Sequence, residues 1–327
     1  MKAFPNWLVL ASTFIPILVP ELYVASALAG GYPDKPVTII SDAAPGSTPD
    51  VDARFVAKGL SKTWGQQVIV VNHPGANGSI AARAAAESPA DGYTLYMPAL
   101  SSFVARTGVA PNLPVKLPGD FLPIGFTAEN PMFVSVNPSL HVTTLPDLIA
   151  LAKKNPGKIS IAVTGIGRLT HLTGEALQLR AGMKLLTVPY TGGPAAALAD
   201  VGSDRVSMII EGYSGIAGAV KSGQVRLIAV ASAERLPQFP NLPTVAETLP
   251  GFSATGWQVL LAPLGTPPAM VTKVSGDLAE VVSDSDFKKQ LANVGSYSRS
   301  MTPDQVVTFV KKEQDIWLPL LERIAAK

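Results

Sequence analysis

Cysteine is absent from the 327-residue chain. That excludes disulfides, thiolate metal sites, a cysteine nucleophile and a lipid-modified N-terminal cysteine. Histidine is scarce: His73, His141 and His171 stand in three unrelated contexts. None has the spacing of a metal pair, so all three read as structural or surface residues and no metal site is expected. Charge is sparse at 15% of residues and almost balanced at +2. A net charge that small does not suggest a nucleic-acid surface. The Gly-Lys-Ser/Thr signature of a phosphate loop is missing. Gly165-Ile166-Gly167 begins like a dinucleotide loop, but Thr170 stands where the third glycine belongs. Gly212-Tyr213-Ser214-Gly215-Ile216 fails the nucleophile-elbow pattern at its last position. No nucleophile is visibly paired with a base. The expectation is therefore a non-enzyme with no catalytic residue and no cofactor.

What is present begins with a segment to set aside. Lys2 is a short positive start, Trp7 to Val19 is mostly apolar, and Ala27-Leu28-Ala29 has the small-x-small form of a signal peptidase site. Pro16 and Pro20 break the apolar run, which is too short to anchor by spanning. Residues 1–29 read as a cleaved signal peptide, with the exported chain starting near Gly30; a retained membrane anchor is the alternative. No later stretch reads as a transmembrane helix. An exported chain without disulfides fits a bacterial periplasm, where they are permitted but not required.

From Tyr32 onward strand and helix signals alternate. The apolar run Pro36 to Ile40 precedes a helical run from Val51 to Leu60, and Val68-Ile69-Val70-Val71 is a β-branched strand. An Ala-rich helix over Ile80 to Glu87 and a strand over Tyr93 to Met97 follow. Pro111 to Pro123 reads as a surface connection, and Pro131 to Val136 resumes the strand signal. Thr144 and Asp147 are spaced like a capping box opening a helix to Lys154, and Ile159 to Val163 is a strand feeding a helix that ends near Gly182. Leu185 to Pro189, Arg205 to Ile210 and Val225 to Ala231 are strands, with helices over Pro194 to Val201 and Ile216 to Ser222. Pro237 to Pro250 reads as irregular, and helices over Pro268 to Ser283 and Thr302 to Ala326 close the chain. Strand, loop, helix, strand is the βαβ pattern, so the fold class is α/β.

Two strand-to-helix loops carry the functional signal. In the first, Ala43, Ala44, Gly46 and Ser47 let backbone N–H groups face a ligand. Thr48 reads as the helix N-cap, Pro49 as the first helical residue, and Asp50 as a first-turn acid. The second runs from Thr164 to His171 through Gly165, Gly167 and Arg168. A small-residue loop at a helix N-terminus is a ready anion site, although the first stretch taken alone reads first as a plain strand-to-helix connection. Two such loops, one in each α/β half, suggest a cleft beyond the carboxyl ends of the strands.

The segments Pro45 to Arg54, Asn72 to Gly78, Asp91 to Leu95, Thr164 to Gly167 with His171-Leu172, Val188 to Gly192, Leu242 to Glu247 and Ala262-Pro263 occur in one order along the chain. Together they resemble the periplasmic solute-binding proteins of tripartite tricarboxylate transporters, the TctC or Bug family. The resemblance implies a two-domain, periplasmic-binding-protein-like (type II-like) fold that closes about a hinge on a small carboxylate. Residues 30–126 with 256–327 would form one domain and 127–255 the other. The ligand would be a di- or tricarboxylate or an aromatic carboxylate, held by backbone N–H groups and ordered water. The site would comprise Asp42, Ala43, Ala44, Gly46, Ser47, Thr48, Asp50, Ala76, Ser101, Thr164, Gly165, Gly167, Arg168, Tyr190 and Glu211. The partners would be transporter membrane subunits or a sensor protein, with the chain itself a monomer. The other classes weighed are an α/β enzyme acting on a carboxylate or ester and a ligand-sensing receptor subunit.

This chain departs from the family pattern in both loops. Asp42 and Ala43 replace Pro-Phe, Ser47 replaces a glycine, Pro49 replaces a threonine-like residue, and Arg168 stands where serine is usual. Arg168 would either fork onto the ligand carboxylate, with Asp42 facing an amine or hydroxyl, or pair with Asp42 across the cleft. A third possibility leaves both in solvent at the loop edges.

Overall fold

The computed structural model describes residues 31–104 and 115–325, so the expected signal peptide and the first part of the expected Pro111–Pro123 connection lie outside the described residues. Strand β1 (Val37–Ser41) runs into helix α1 (Thr48–Trp64), then β2 (Val68–Asn72), α2 (Ser79–Ala86), β3 (Thr94–Met97) and the short α3 (Ser101–Val104). Strand β4 (Phe121–Val136) leads to α4 (Leu145–Lys154), β5 (Ser160–Val163), α5 (Leu169–Ala181), β6 (Leu186–Pro189) and α6 (Pro194–Gly202). Strand β7 (Met208–Gly212), α7 (Tyr213–Lys221), β8 (Arg226–Val230), α8 (Val245–Thr248) and β9 (Thr255–Pro263) follow. Helices α9 (Pro268–Ser283), α10 (Ser285–Asn293) and α11 (Pro303–Ala325) end the chain.

The strands form one path, β2-β1-β3-β9-β4-β7-β5-β6, with β8 added on β4. Within it, β2, β1 and β3 are parallel, and so are β6, β5 and β7. Each parallel set comes from βαβ crossovers, as the alternating sequence pattern requires. The two sets are joined by the antiparallel strands β4 and β9. Phe121 to Pro131 of β4 pairs with β9, and from Met132 onward β4 pairs with β7 and β8 instead. One strand thus belongs to both halves, and the change of partner falls at Pro131/Met132. Apolar burial follows this plan. One core packs α1 and α9 on the first half through Val56, Leu60, Val274 and Leu278. A second packs α6 and α7 on the other half through Val201, Ile209 and Ile216. A third extends across both, from Tyr96 and Phe103 to Leu172 and Ile210.

Several sequence expectations shift. Ser47, not Thr48, is the N-cap of α1, so Pro49 is its second residue; Pro49 still has no N–H to lose there. The strand expected at Pro131–Val136 is the second part of a 16-residue strand, and the end of the expected surface connection, Phe121 to Pro123, opens it. The strand expected at Arg205–Ile210 is displaced to Met208–Gly212. The stretch expected to be irregular contains α8, held by a capping box between Thr244 and Glu247. Strand β9 and helix α10 were not anticipated.

Candidate functional site

The carboxyl ends of β1, β3, β5, β6 and β7 point to a cleft of about 370 Å3 between the two halves. This is where an open α/β sheet places ligands. Of the residues singled out from sequence, Asp42, Ala44, Ser47, Ala76, Ser101, Thr164, Gly165, Arg168 and Glu211 line it. Ala43, Gly46, Thr48, Asp50, Gly167 and Tyr190 do not line it, and their contacts explain why.

Asp50 is buried and serves its own loop. Its carboxylate accepts from the Gly46 N–H at 2.9 Å, from Asn72 Nδ2 at 2.8 Å and from Arg54 Nε at 3.1 Å. Gly46, at φ +76°, makes the turn that brings its N–H onto that acid. The Ala43 N–H donates to Ser41 Oγ and the Ser47 N–H to the Ala44 carbonyl. The N–H groups of Ala43, Gly46 and Ser47 are therefore consumed inside the loop, while those of Ala44 and Thr48 take no acceptor among the described residues. Thr48 faces the other half: Ser214 Oγ and the Gly215 N–H donate to its Oγ1 at 2.9 and 3.3 Å. Tyr190 donates its hydroxyl to Asp200 at 2.7 Å, and desolvation, aided by that bond, pushes the phenol up to about 12. The Gly167 N–H donates to His171 Nδ1, which holds the loop onto α5.

The second loop is different. Thr164 N–H is taken by Thr170 Oγ1 and Arg168 N–H by the Gly165 carbonyl. The N–H groups of Gly165, Ile166, Leu169 and Thr170 take no acceptor among the described residues. Gly165 sits at φ +133°, and a Cβ there would lie 2.6 Å from Arg168 Cγ. The glycine thus gives the Arg168 side chain its room.

The two loop departures meet. Arg168 Nη1 lies 3.6 Å from Asp42 Oδ2 and 3.4 Å from the Asp42 carbonyl, across the cleft. Of the arrangements the sequence left open, the structure shows the cross-cleft pair. Asp42 is fully enclosed and also accepts from Ser102 Oγ at 2.7 Å and the Ala99 N–H at 3.2 Å. Glu211 closes the far wall, accepting from Thr164 Oγ1 at 2.8 Å and the Gly212 N–H at 3.0 Å. Burial raises its carboxyl above the usual range, and these two bonds and the Arg168 charge oppose the rise.

Sequence reasoning missed the apolar wall, built from Leu100, Met132, Leu169 and Trp257. Met132 and Trp257 lie on the two strands that join the halves, so the undetected strand β9 hid one of them. No group of histidine, aspartate and glutamate that could hold a metal occurs among the described residues. Nor is any described helix long and apolar enough to cross a membrane.

Comparison with known proteins agrees with this architecture. The R. palustris protein solved with adipate superposes with a TM-score of 0.82 at 31% identity, covering 89% of this chain and 97% of that one. The periplasmic binding protein BugD gives a TM-score of 0.81 at 31% identity, covering 89% and 98%. The chain shares their fold, the two-domain α/β fold of periplasmic binding proteins. Protein BugT of Bordetella pertussis is 33% identical over 306 residues, 93% of either chain. The model of the tripartite tricarboxylate transporter family receptor matches residues 52–326, beginning just past the first loop. The chain belongs to that family, TctC.

Proposed function

We propose that this chain is an exported, periplasmic solute receptor that captures a small organic carboxylate by closing its two halves on it. It would deliver the ligand to membrane subunits of a tripartite tricarboxylate-type transporter. The observation that carries this reading is that four unoccupied backbone N–H groups and the Arg168 guanidinium belong to residues lining one cleft. Backbone donors at a helix N-terminus beside a cation favour an anion, and charge-assisted bonds of this kind contribute roughly 1.5–3 kcal/mol each. The adipate carried by a family relative supports the same ligand class. We read residues 30–126 with 256–327 as one domain and 127–255 as the other. The exchange of partners along β4 supports a hinge in that region. Closure would shift the population toward the state the membrane partner recognises.

Isothermal titration of the purified protein against aliphatic and aromatic carboxylates tests this reading. Saturable binding of a carboxylate, with no product formed on prolonged incubation, supports it. Absence of binding across the panel, or turnover of a bound compound, overturns it.

A further inference from the structure

The first wall of the cleft already holds a carboxylate, and the chain itself supplies it. Asp42 leaves the end of β1 and takes the donors that an incoming anion would use on that side: the Ala99 N–H, the Ser102 hydroxyl and Arg168 Nη1. In the rest of the first loop the N–H groups of Ala43, Gly46 and Ser47 are spent internally, and those of Ala44 and Thr48 take no acceptor among the described residues. On the opposite wall the N–H groups of Gly165, Ile166, Leu169 and Thr170 are open, and Arg168 donates through Nη1 alone among the described residues. The Ser101 hydroxyl lines the cleft, buried and without a partner among the described residues. Among the described residues the charges lining the cleft are two carboxylates, Asp42 and Glu211, against the single guanidinium of Arg168. Between them run Leu100, Met132, Leu169 and Trp257.

We propose that Asp42 is a specificity-determining residue and that the ligand is a monocarboxylate with an apolar body. The ligand carboxylate would sit on the Gly165–Thr170 turn and the free edge of Arg168, and the body would lie along the apolar wall. A second carboxylate would meet Asp42 and Glu211 with no further cation among the lining residues to offset the repulsion. Like charges brought together in a buried site reject a ligand strongly, which is how such pockets discriminate. This proposal deepens the carboxylate-receptor reading and rests on it.

The test is titration calorimetry with matched probes, hexanoate against adipate and benzoate against terephthalate. Wild type is expected to bind each monocarboxylate at least roughly tenfold more tightly than its dicarboxylate partner. Asp42→Asn and Glu211→Gln are each expected to narrow that ratio by about fivefold or more. Circular dichroism establishes that each variant is folded, and either one suffices if the other is not. Equal or tighter binding of adipate and terephthalate by wild type overturns the proposal while leaving the carboxylate reading standing. A ratio unchanged in the folded variants also overturns it. If none of the four probes binds while another carboxylate of the wider panel does, the proposal falls and the carboxylate reading stands; if no carboxylate of that panel binds, both fall.

Discussion

The two strand-loop-helix turns look alike in sequence and behave differently in the structure. The first, from Asp42 to Asp50, spends three of its N–H groups on itself, Gly46 to Asp50, Ser47 to Ala44 and Ala43 to Ser41, and leaves those of Ala44 and Thr48 without an acceptor among the described residues. The second, from Thr164 to Thr170, leaves four N–H groups open toward the cleft. The same local motif thus supplies a rigid wall on one side and a set of free donors on the other. Both turns have a first-turn side chain that folds back on a loop glycine, Asp50 onto the Gly46 N–H and His171 onto the Gly167 N–H; what separates them is that Asp50 also gathers Asn72 and Arg54, whereas the Gly165 and Ile166 N–H groups stay unspent. Anion capacity comes from unspent donors rather than from the strand-loop-helix form alone.

A matched pair of glycine substitutions would break this comparison most directly. Gly165→Ala places a methyl 2.6 Å from Arg168 Cγ at a φ of +133°, so the guanidinium must move. Ligand affinity is expected to fall by roughly a hundredfold or more. Gly46→Ala meets nothing within 4 Å and suffers only from its φ of +76°. It is expected to lose about 1–2 kcal/mol of stability while affinity stays within a few-fold of wild type. Equal losses of affinity in the two variants, measured by calorimetry, would mean that the first loop also binds the ligand.

Arg168→Ser comes next. It removes the one lining cation and leaves Asp42 with the Ser102 and Ala99 donors. A charge-assisted contact of about 1.5–3 kcal/mol corresponds to an affinity loss of roughly 10- to 150-fold. Unchanged binding would show that the open N–H groups suffice without the guanidinium.

These asymmetries also mark how far the sequence could be read. The β-branched runs and small-residue loops located β1, β2 and β5 and both turns, because those signals are local. Strand β9 was missed: nearly all of it is buried, so it shows no alternation, and its apolar run Val259 to Ala262 is only four residues long after Gly256 and Gln258 interrupt its start. Its loss hid Trp257, and the apolar wall as a whole comes from segments far apart in the chain. The fate of Asp50 and Tyr190 was equally out of reach, since their partners Asn72 and Asp200 lie on other elements. Asp42 and Arg168 stand 126 positions apart; the sequence showed that both had entered the site and left open whether they meet.

If the first half is structural, its remaining buried acid should govern stability and not ligand choice. Asp52, one turn below the loop on α1, is fully enclosed beside Asn130 and Ser296. Burial lifts its carboxyl to about 7, with the Asn130 hydrogen bond and the neighbouring Ser296 opposing the rise. The folded state therefore holds this proton more tightly than the unfolded chain. The stability it contributes is complete below the unfolded value near 3.8 and is lost as pH rises through about 7. Asp52→Asn should flatten that slope and exceed wild type by about 1–2 kcal/mol at pH 8, after allowing for the buried amide's own donors. Denaturant melts from pH 4 to 8 check this; an unchanged slope would mean that Asp52 is ionised in the folded protein.

The smallest effect is expected where the first loop touches the other half without touching ligand. Thr48 Oγ1 accepts from Ser214 Oγ and from the Gly215 N–H in the first turn of α7, whose N-cap residue Gly212 has no side chain to do so. Thr48 thus satisfies a helix-end donor across the cleft, and only while the halves are together. In the separated state water would replace it, so the bond contributes to closure alone. Thr48→Val keeps the shape that packs against Gly212 and removes the acceptor. Every ligand should then lose the same factor, roughly two- to tenfold for about 0.5–1.5 kcal/mol, with the ranking among carboxylates preserved. A change in ranking would place Thr48 in contact with ligand and erase the distinction between a wall that closes and a wall that binds.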